Sequence, residues 1–362
     1  MKIGIVTPYF YPLRGGVQEH VYNLYLHFKR RGHIVKIITS HFNNEAKEQD
    51  IIRIGRGIPI PINGSVGRIG VSINLCSKVK ETLRKEEFDL LHIHEPLAPT
   101  IPLFMLKYSD CINIGTFHAG GKRSLSYSLG RGFLKKYFLK LDGRIVVSHA
   151  AEKFVRKYFG GEFQIIPNGI DTNRFREDIS PIEEYKDEKL NILFVGRFDK
   201  RKGLDYLLSA FKMVKKEVKD IRLIVVGGGY KKYKKRIGDI VFTGVQYERL
   251  PQYYSTCDIF CSPAIGQESF GIILLEAMAL GKPVVATNIP GYNEVVTHNK
   301  EGLLVPPKDK EALRDALIKL LRDKDLRIKM GKNGREKAAE YSWERIGERV
   351  LDYYNEIIKM RR

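Results

Sequence analysis

Cysteine is scarce: Cys76, Cys111, Cys257 and Cys261 are the only four in 362 residues. At this length so few do not make a disulfide framework. Cys257 and Cys261 flank Asp258-Ile259-Phe260 in an apolar strand pattern. With no second cysteine or histidine pair at ligand spacing, they read as buried free thiols and not as zinc ligands. Long apolar runs are missing too, and none approaches the ~20 residues that cross a bilayer. The opening Met1-Lys2-Ile3-Gly4-Ile5-Val6 enters a strand pattern directly, without the features of a signal peptide, so we expect a cytoplasmic chain. There is no GxxxxGK[ST] loop, which sets aside P-loop phosphoryl transfer, and no GxGxxG followed by an acid at ribose distance, which argues against a nicotinamide cofactor. Acidic residues are outnumbered, 42 against 62 basic, for a formal charge of +20. That balance calls for an anionic partner: a nucleic acid, an anionic membrane or a phosphorylated substrate. Glutamine is rare beside abundant lysine and glutamate, which suits a protein from a hot environment, so charge alone does not decide. The one basic run interleaved with aromatics, Tyr230-Lys231-Lys232-Tyr233-Lys234-Lys235-Arg236, reads as a short exposed helix and not as a nucleic-acid site.

What is present is a folded composition, 43% hydrophobic and 10% aromatic, long enough for two domains. Short β-rich runs alternate with amphipathic helix patterns, which predicts parallel sheets built from βαβ units. In the first half strands are expected at 3–7, 34–39, 51–54, 89–94, 112–117, 144–148 and 163–166, and helices at 17–31, 71–86, 131–140 and 149–158. The second half restarts at Leu190-Asn191-Ile192-Leu193-Phe194-Val195-Gly196, with strands near 222–227, 240–243, 258–261, 283–287 and 302–305. The polar stretch 176–189 reads as a linker, and 343–360 as a final helix. The expected fold class is α/β, two doubly wound domains facing each other across a cleft. Ligands of such sheets sit at the carboxyl ends of the strands, so residues just after strands are the ones to inspect.

The most informative stretch is Gly266-Gln267-Glu268-Ser269-Phe270-Gly271-Ile272-Ile273-Leu274-Leu275-Glu276-Ala277. It holds two carboxylates in an apolar run, where an acid is paired or functional. Ser269 is expected as an N-cap, Gly271 admits a close ligand, and the free N–H groups of the helix start form an anion site. Eight residues of helix rise about 12 Å, so Glu268 and Glu276 would reach opposite ends of one elongated ligand. Gly196-Arg197 through Lys202-Gly203 follows a strand, and Arg197 and Lys202 suit phosphate oxygens. Phe242-Thr243-Gly244-Val245 is a further strand exit, placed to hold a nucleotide base by backbone groups. In the first half, Gly15-Gly16 opens a helix, and His118 follows a strand beside Gly120 and Gly121. His92 and His94 alternate onto one strand face, as a metal would want, but no third ligand is evident.

Gly15-Gly16-Val17-Gln18, Ile166-Pro167-Asn168-Gly169-Ile170-Asp171, Gly196-Arg197…Lys202-Gly203 and Glu268-x7-Glu276 together resemble the retaining family 4 glycosyltransferases of GT-B fold. The resemblance spans essentially the whole chain. His94-Glu95-Pro96-Leu97-Ala98-Pro99 and Gly115-Thr116-Phe117-His118-Ala119 look like the phosphatidylinositol mannosyltransferases within that family. The resemblance implies residues 1–169 plus 344–362 as an acceptor-binding domain, the last helix crossing back to it. Residues 170–343 would bind a nucleoside-diphosphate sugar as co-substrate, with no cofactor and no metal. By the same resemblance, Arg197, Lys202, Gly16 and the backbone at Phe270, Gly271 and Ile272 hold the diphosphate. Glu268 takes the sugar hydroxyls, Glu276 the ribose, Val245 lies by the base, and His118 contacts the sugar near the reacting carbon. His118, Glu268, Arg197 and Lys202 are the catalytic set. Tyr9, Gln18, Asn63, Arg68, Lys122 and Arg123 fall at acceptor positions. The reaction implied is retaining transfer of a hexose, mannose favoured, to a lipid-linked or inositol-phosphate acceptor. A soluble or polysaccharide acceptor is the alternative, and a GT-B sugar-nucleotide epimerase a more distant one. A lipid acceptor implies peripheral contact with an anionic membrane. The apolar loop 56–70 is consistent with touching lipid. Helix 71–86 (Val71, Leu75, Val79, Leu83 against Lys78, Lys80, Arg84, Lys85) has two readings, an ordinary surface helix with its apolar side in the core, which is favoured, or a helix lying on the membrane.

Overall fold

The computed structural model describes the chain except residues 13–14, 42–48, 63–64, 72–73, 122, 229–235 and 362, and gives only backbone for 56–62, 65–71 and 236. The chain divides into two compact units, Met1–Asn168 with Trp343–Arg362, and Gly169–Ser342. The basic run at 230–236 falls almost wholly outside the described residues.

In the first unit the elements are β1 (Lys2–Val6), α1 (Gly16–Arg30), β2 (Ile34–His41), β3 (Ile51–Ile62), β4 (Ser65–Val71), α2 (Leu75–Glu86), β5 (Leu90–His94), α3 (Ile101–Tyr108), β6 (Ile112–Phe117), α4 (Leu125–Leu139), β7 (Gly143–Val146), α5 (His149–Phe159) and β8 (Gln164–Ile165). The sheet order is β4-β3-β2-β1-β5-β6-β7-β8, parallel except for β4. Strands β1 and β5 are buried on both faces because helices cover both sides. The order reverses between β1 and β5, which makes their carboxyl ends the switch point of this sheet.

The second unit holds β9 (Leu190–Val195), α6 (Leu204–Glu217), β10 (Ile221–Val226), β11 (Arg236–Ile237), β12 (Ile240–Gly244), α7 (Leu250–Thr256), β13 (Ile259–Ser262), α8 (Ile272–Ala279), β14 (Val284–Thr287), α9 (Tyr292–Val295), β15 (Gly302–Val305), α10 (Lys310–Arg322) and α11 (Lys324–Ala339). Its order, β11-β12-β10-β9-β13-β14-β15, reverses between β9 and β13. The closing helix α12 (Trp343–Arg361) belongs to the first unit, where Trp343, Ile346, Val350, Tyr354 and Ile357 join the core of β1 and α1. Among the described residues no helix is long and apolar enough to cross a membrane.

The structure departs from the sequence reading in four places. The stretch 176–189 is no linker: Ile182 and Tyr185 are buried in the core of the second unit. The apolar loop expected at 56–70 is a hairpin, β3 and β4 pairing from Arg56↔Val71 to Ile62↔Ser65. It runs past the last β2–β3 pair, His41↔Arg56, and so projects from the carboxyl edge of the sheet. Among the described residues only β4 bonds to β3 beyond that pair, a pairing that tolerates Pro59 and Pro61. Helix α3 has no sequence counterpart, because Ile101-Pro102-Leu103-Phe104-Met105 is apolar all round and shows no period. Helix α4 starts six residues earlier than expected, since Ser124 caps it (Oγ accepts from the N–H of Tyr127, 3.2 Å) and the helix tolerates Gly130 and Gly132. Helix α2 turns Leu75 and Val79 into the core, with Leu83 packed against it, the surface-helix arrangement favoured for 71–86 from the sequence.

Candidate functional site

Each sheet carries chemistry at its switch point. In the second unit, β9 ends in Gly196-Arg197, and Asp199 then accepts from the backbone N–H groups of Arg201 and Lys202, turning the chain into a short 3-10 segment. Gly203 closes the turn at φ 70°, and a Cβ there would lie 1.9 Å from the carbonyl oxygen of Pro263, so only glycine fits. This packs the loop after β9 against the loop after β13, an approach reinforced by Ile265 N–H donating to the Arg201 carbonyl at 2.8 Å. Lys202 Nζ consequently meets Glu268 Oε1 at 2.7 Å, with both side chains mostly buried. Arg197 is exposed beside them, its guanidinium 3.7 Å from Asp199. The structure thus ties together two residues that the sequence reading had assigned separately, one to the diphosphate and one to the sugar.

Ser269 is not the cap expected. Gly271, at φ 110°, is the N-cap of α8, and no side chain caps the helix. A Cβ on Gly271 would meet the Tyr292 ring at 2.8 Å. Glu268 therefore lies in the loop and only Glu276 in the helix, four residues from its start, which replaces the 12 Å helical spacing by about 6 Å of helix plus a loop. Glu276 Oε2 accepts from the hydroxyl of Tyr254 at 2.7 Å. Burial holds the Tyr254 phenol well above its ordinary pKa, with the Glu276 carboxylate adding to the shift, so it stays a donor. The uncapped N–H groups of α8, Lys202 and Arg197 sit at the ends of β9 and β13, the arrangement that binds an anion. Val245 is exposed just after β12, two strands from β9, beside Gly228.

The first unit's edge is lined with neutral histidines. His118 follows β6, and its Nε2 lies 2.8 Å from Nδ1 of His94, the last residue of β5. His20, from α1, pairs Nδ1 with Oδ1 of Asn168 at 2.8 Å and packs edge-on against both other rings. His92 uses both nitrogens, with the Tyr354 hydroxyl and Thr116 Oγ1, each at 2.6 Å. Burial drives His20 down to about 4 and His92 to about 3, and puts His94 and His118 well below the ordinary value. The tautomers follow from the hydrogen bonds. His94 Nε2 is buried without a partner, and a buried lone pair costs less than an orphaned N–H. The proton on His94 thus sits on Nδ1 and is donated to His118 Nε2, which leaves His118 with an N–H on Nδ1. His118 is set up as a hydrogen-bond donor and not as a base. Glu95, in the left-handed region at φ 52°, fixes its backbone by accepting from the His118 N–H at 2.9 Å. Loss of solvent pushes the Glu95 carboxyl up to about 7, against the pull of backbone donors at His118 and Ala119.

His20, Asn168 and Tyr354 were not among the sequence candidates, and no motif spacing links them to β5 or β6. The pairing of His92 with His94 for a metal does not hold, since His92 is committed to Tyr354 and Thr116. The set whose ring nitrogens lie within 4.8 Å of one another is His20, His94 and His118. The expected acceptor residues scatter. Tyr9 follows β1 and buried Gln18 lies in the first turn of α1, both at the switch point. Gly16 is the first residue of α1. Arg68 is on the edge strand β4, and Arg123 is exposed before α4. Asn63 and Lys122 lie outside the described residues.

With this geometry in place, the comparisons with known proteins are specific. A family model described as "Glycosyltransferase Family 4" matches residues 14–174, and one described as "Glycosyl transferases group 1" matches residues 175–337. The chain is 34% identical to a phosphatidyl-myo-inositol mannosyltransferase of Mycobacterium leprae, over 99% of this chain and 97% of that one. It is 31% identical to a GDP-mannose-dependent alpha-(1-6)-phosphatidylinositol monomannoside mannosyltransferase of Mycobacterium tuberculosis, over 59% of this chain and 62% of that protein. Among solved structures it shares its fold with a sucrose-phosphate synthase of Thermosynechococcus elongatus (TM-score 0.80, 23% identity, 99% of both chains). Anabaena HepE, in complex with UDP-glucose, gives a TM-score of 0.76 at 17% identity over 98% of this chain and 100% of that one. The fold class is GT-B, with two Rossmann-like parallel-sheet units.

Proposed function

The chain belongs to the glycosyltransferases, in the family of the phosphatidyl-myo-inositol mannosyltransferases, and from that premise we propose that it moves mannose from GDP-mannose to an inositol-phosphate lipid with retention of configuration. The observation that carries this reading is the Lys202–Glu268 pair beside exposed Arg197 and the uncapped start of α8. An ammonium has three donors, so Lys202 keeps Glu268 and still reaches a phosphate oxygen. Arg197 and the α8 N–H groups take the rest of the diphosphate, with the backbone at Phe270, Gly271 and Ile272. Glu268, oriented by Lys202, accepts from sugar hydroxyls. Glu276, held by Tyr254, takes the ribose, and Val245 flanks the base.

As the bond between the anomeric carbon and the diphosphate breaks, negative charge grows on the leaving oxygen, and the cations and helix start stabilise it without a metal ion. That oxygen takes the proton of the acceptor hydroxyl, whose oxygen bonds to the anomeric carbon on the same face. His118, as an N–H donor, suits a sugar oxygen. Tyr9, Gln18, Asn63, Arg68, Lys122 and Arg123 form the acceptor side, where basic residues suit a phosphate head group. The protein acts from the cytoplasm at a membrane surface and needs no cofactor.

The test is a panel of GDP- and UDP-sugars with phosphatidylinositol dispersed in detergent, with and without EDTA, products read by mass spectrometry and anomeric NMR. The expected result is α-linked mannosyl product from GDP-mannose alone, unaffected by EDTA. No hydrolysis or transfer from any GDP- or UDP-sugar would sink the reading. Transfer to a soluble sugar in preference to the lipid would replace its acceptor half.

A further inference from the structure

Helix α4 has two apolar faces. Tyr127, Leu134, Tyr137 and Phe138 are buried in the first unit. On the opposite side Leu125, Leu129, Phe133 and Leu139 are 78%, 87%, 55% and 63% exposed. At 100° per residue these four fall within one arc of about 120°, centred away from the buried face. Scattered exposed leucines need no explanation, but a continuous stripe on one helix marks an interaction surface. Charge narrows the occupant. From Cys111 to Leu141 there is no aspartate or glutamate, while Lys122, Arg123, Arg131, Lys135, Lys136 and Lys140 are all basic. Lys136 lies amid the stripe, its ammonium 4.7 Å from the centre of the Phe133 ring and 4.9 Å from that of Tyr137. Lys135 and Arg131 lie along one edge of the stripe. An apolar stripe whose charged neighbours on the helix are all basic fits the head-group boundary of an anionic bilayer, where leucine and phenylalanine sink and lysine stems reach the phosphates.

We propose that the outward face of α4 docks the protein on an anionic lipid membrane. This deepens the lipid-acceptor reading above and rests on it for the purpose of the contact, although the surface is argued from α4 alone. Helix α2 turns its apolar residues inward and mixes Lys78, Lys80, Arg84 and Lys85 with Glu81 and Glu86.

The experiment is vesicle sedimentation of the full chain with phosphatidylcholine alone or mixed with phosphatidylglycerol. Wild type should bind the anionic vesicles, and the triple variant Leu125→Gln, Leu129→Gln, Phe133→Ser should bind at least about tenfold more weakly. Its melting temperature and its hydrolysis of GDP-mannose should stay as in wild type, which separates failure of docking from failure of the transferase reading. In Leu129→Trp, the indole should shift to shorter emission wavelength on anionic vesicles and not on neutral ones, the chain's own Trp343 being buried. Three results overturn the proposal: wild type ignores anionic vesicles; the triple variant binds as well as wild type while Lys78→Glu with Arg84→Glu does not bind; or wild type sediments as a dimer that the triple variant dissociates, with vesicles unbound. The last makes the stripe a contact between copies of the chain.

Discussion

Two sheets of like topology carry opposite chemistry at the same topological position, the switch point of each. The edge of the second sheet is ionic: Lys202 and Glu268 pair at 2.7 Å beside Arg197 and Asp199. The edge of the first is a set of buried histidines, His20, His92, His94 and His118, all kept neutral by burial. On the function proposed above, the ionic edge suits a charged leaving group, and the neutral rings suit a sugar and a lipid head group through directional hydrogen bonds. The fold supplies the position, and the residues after each strand decide the use.

The sharpest way to break this contrast is to remove the ionic side. Lys202→Ala should lower kcat by about 10²–10³, the scale for losing one preorganised charge or donor at the leaving group. Glu268→Ala should reduce mannosyl turnover comparably while leaving GDP affinity, measured by calorimetry, almost unchanged. Equal small effects from both would erase the contrast. On the neutral side, His94→Phe keeps a ring of similar size but takes away the donor to His118 Nε2. We expect a fall in kcat of about tenfold with unchanged GDP affinity, and loss of the His118 Nδ1–H signature in ¹⁵N spectra. A rate loss without the spectral change would mean that His94 only packs.

Acid should separate the two units. The four histidines have folded pKa values below the unfolded 6.5, so between about 4 and 6.5 the unfolded chain binds more protons than the folded one. Their contribution is fully present above pH 6.5 and is lost as pH falls. Glu95, raised to about 7, works the other way, losing its contribution as pH rises from the unfolded 4.5 toward 7. The four histidines outweigh it, and the only histidine of the second unit, His298, is exposed. Hydrogen exchange at pH 7 and pH 5 should show protection falling in β1, β5 and β6 more than in β9, β10 and β13. The smallest effect is expected from Tyr254→Phe, which removes the hydroxyl that holds Glu276. GDP should bind about five times more weakly, from the loss of about 1 kcal/mol, with turnover of saturated enzyme retained.

How much of this could be read from the chain depended on distance along it. Arg197, Lys202, Glu268 and His118 each follow a strand within a few residues, so an alternation of strands and helices was enough to place them. His20 meets Asn168 across 148 positions, and Tyr354 meets His92 across 262. No periodicity encodes such pairs, and they exist only once the sheet is assembled. Local chemistry also misled where two rules competed. Ser269 has the residue type of a cap, but the backbone at Gly271 sets the helix start. The apolar stretch 56–70 read as a loop, but β3 and β4 pair across it as a hairpin that admits Pro59 and Pro61. Helix 71–86 carried the composition of a membrane helix, while α4 carries the exposed stripe. Only burial tells those two apart.

Helix α12 has a consequence for how the protein is made. The second unit is one unbroken stretch, Gly169–Ser342, whereas the first needs Trp343–Arg362, which leaves the ribosome after it. Until then the groove lined by Val21, Leu24 and Phe28 is uncovered and His92 lacks the Tyr354 hydroxyl. The usual order of synthesis, N-terminal domain complete before the next begins, is thereby inverted. The half made first is the last to close.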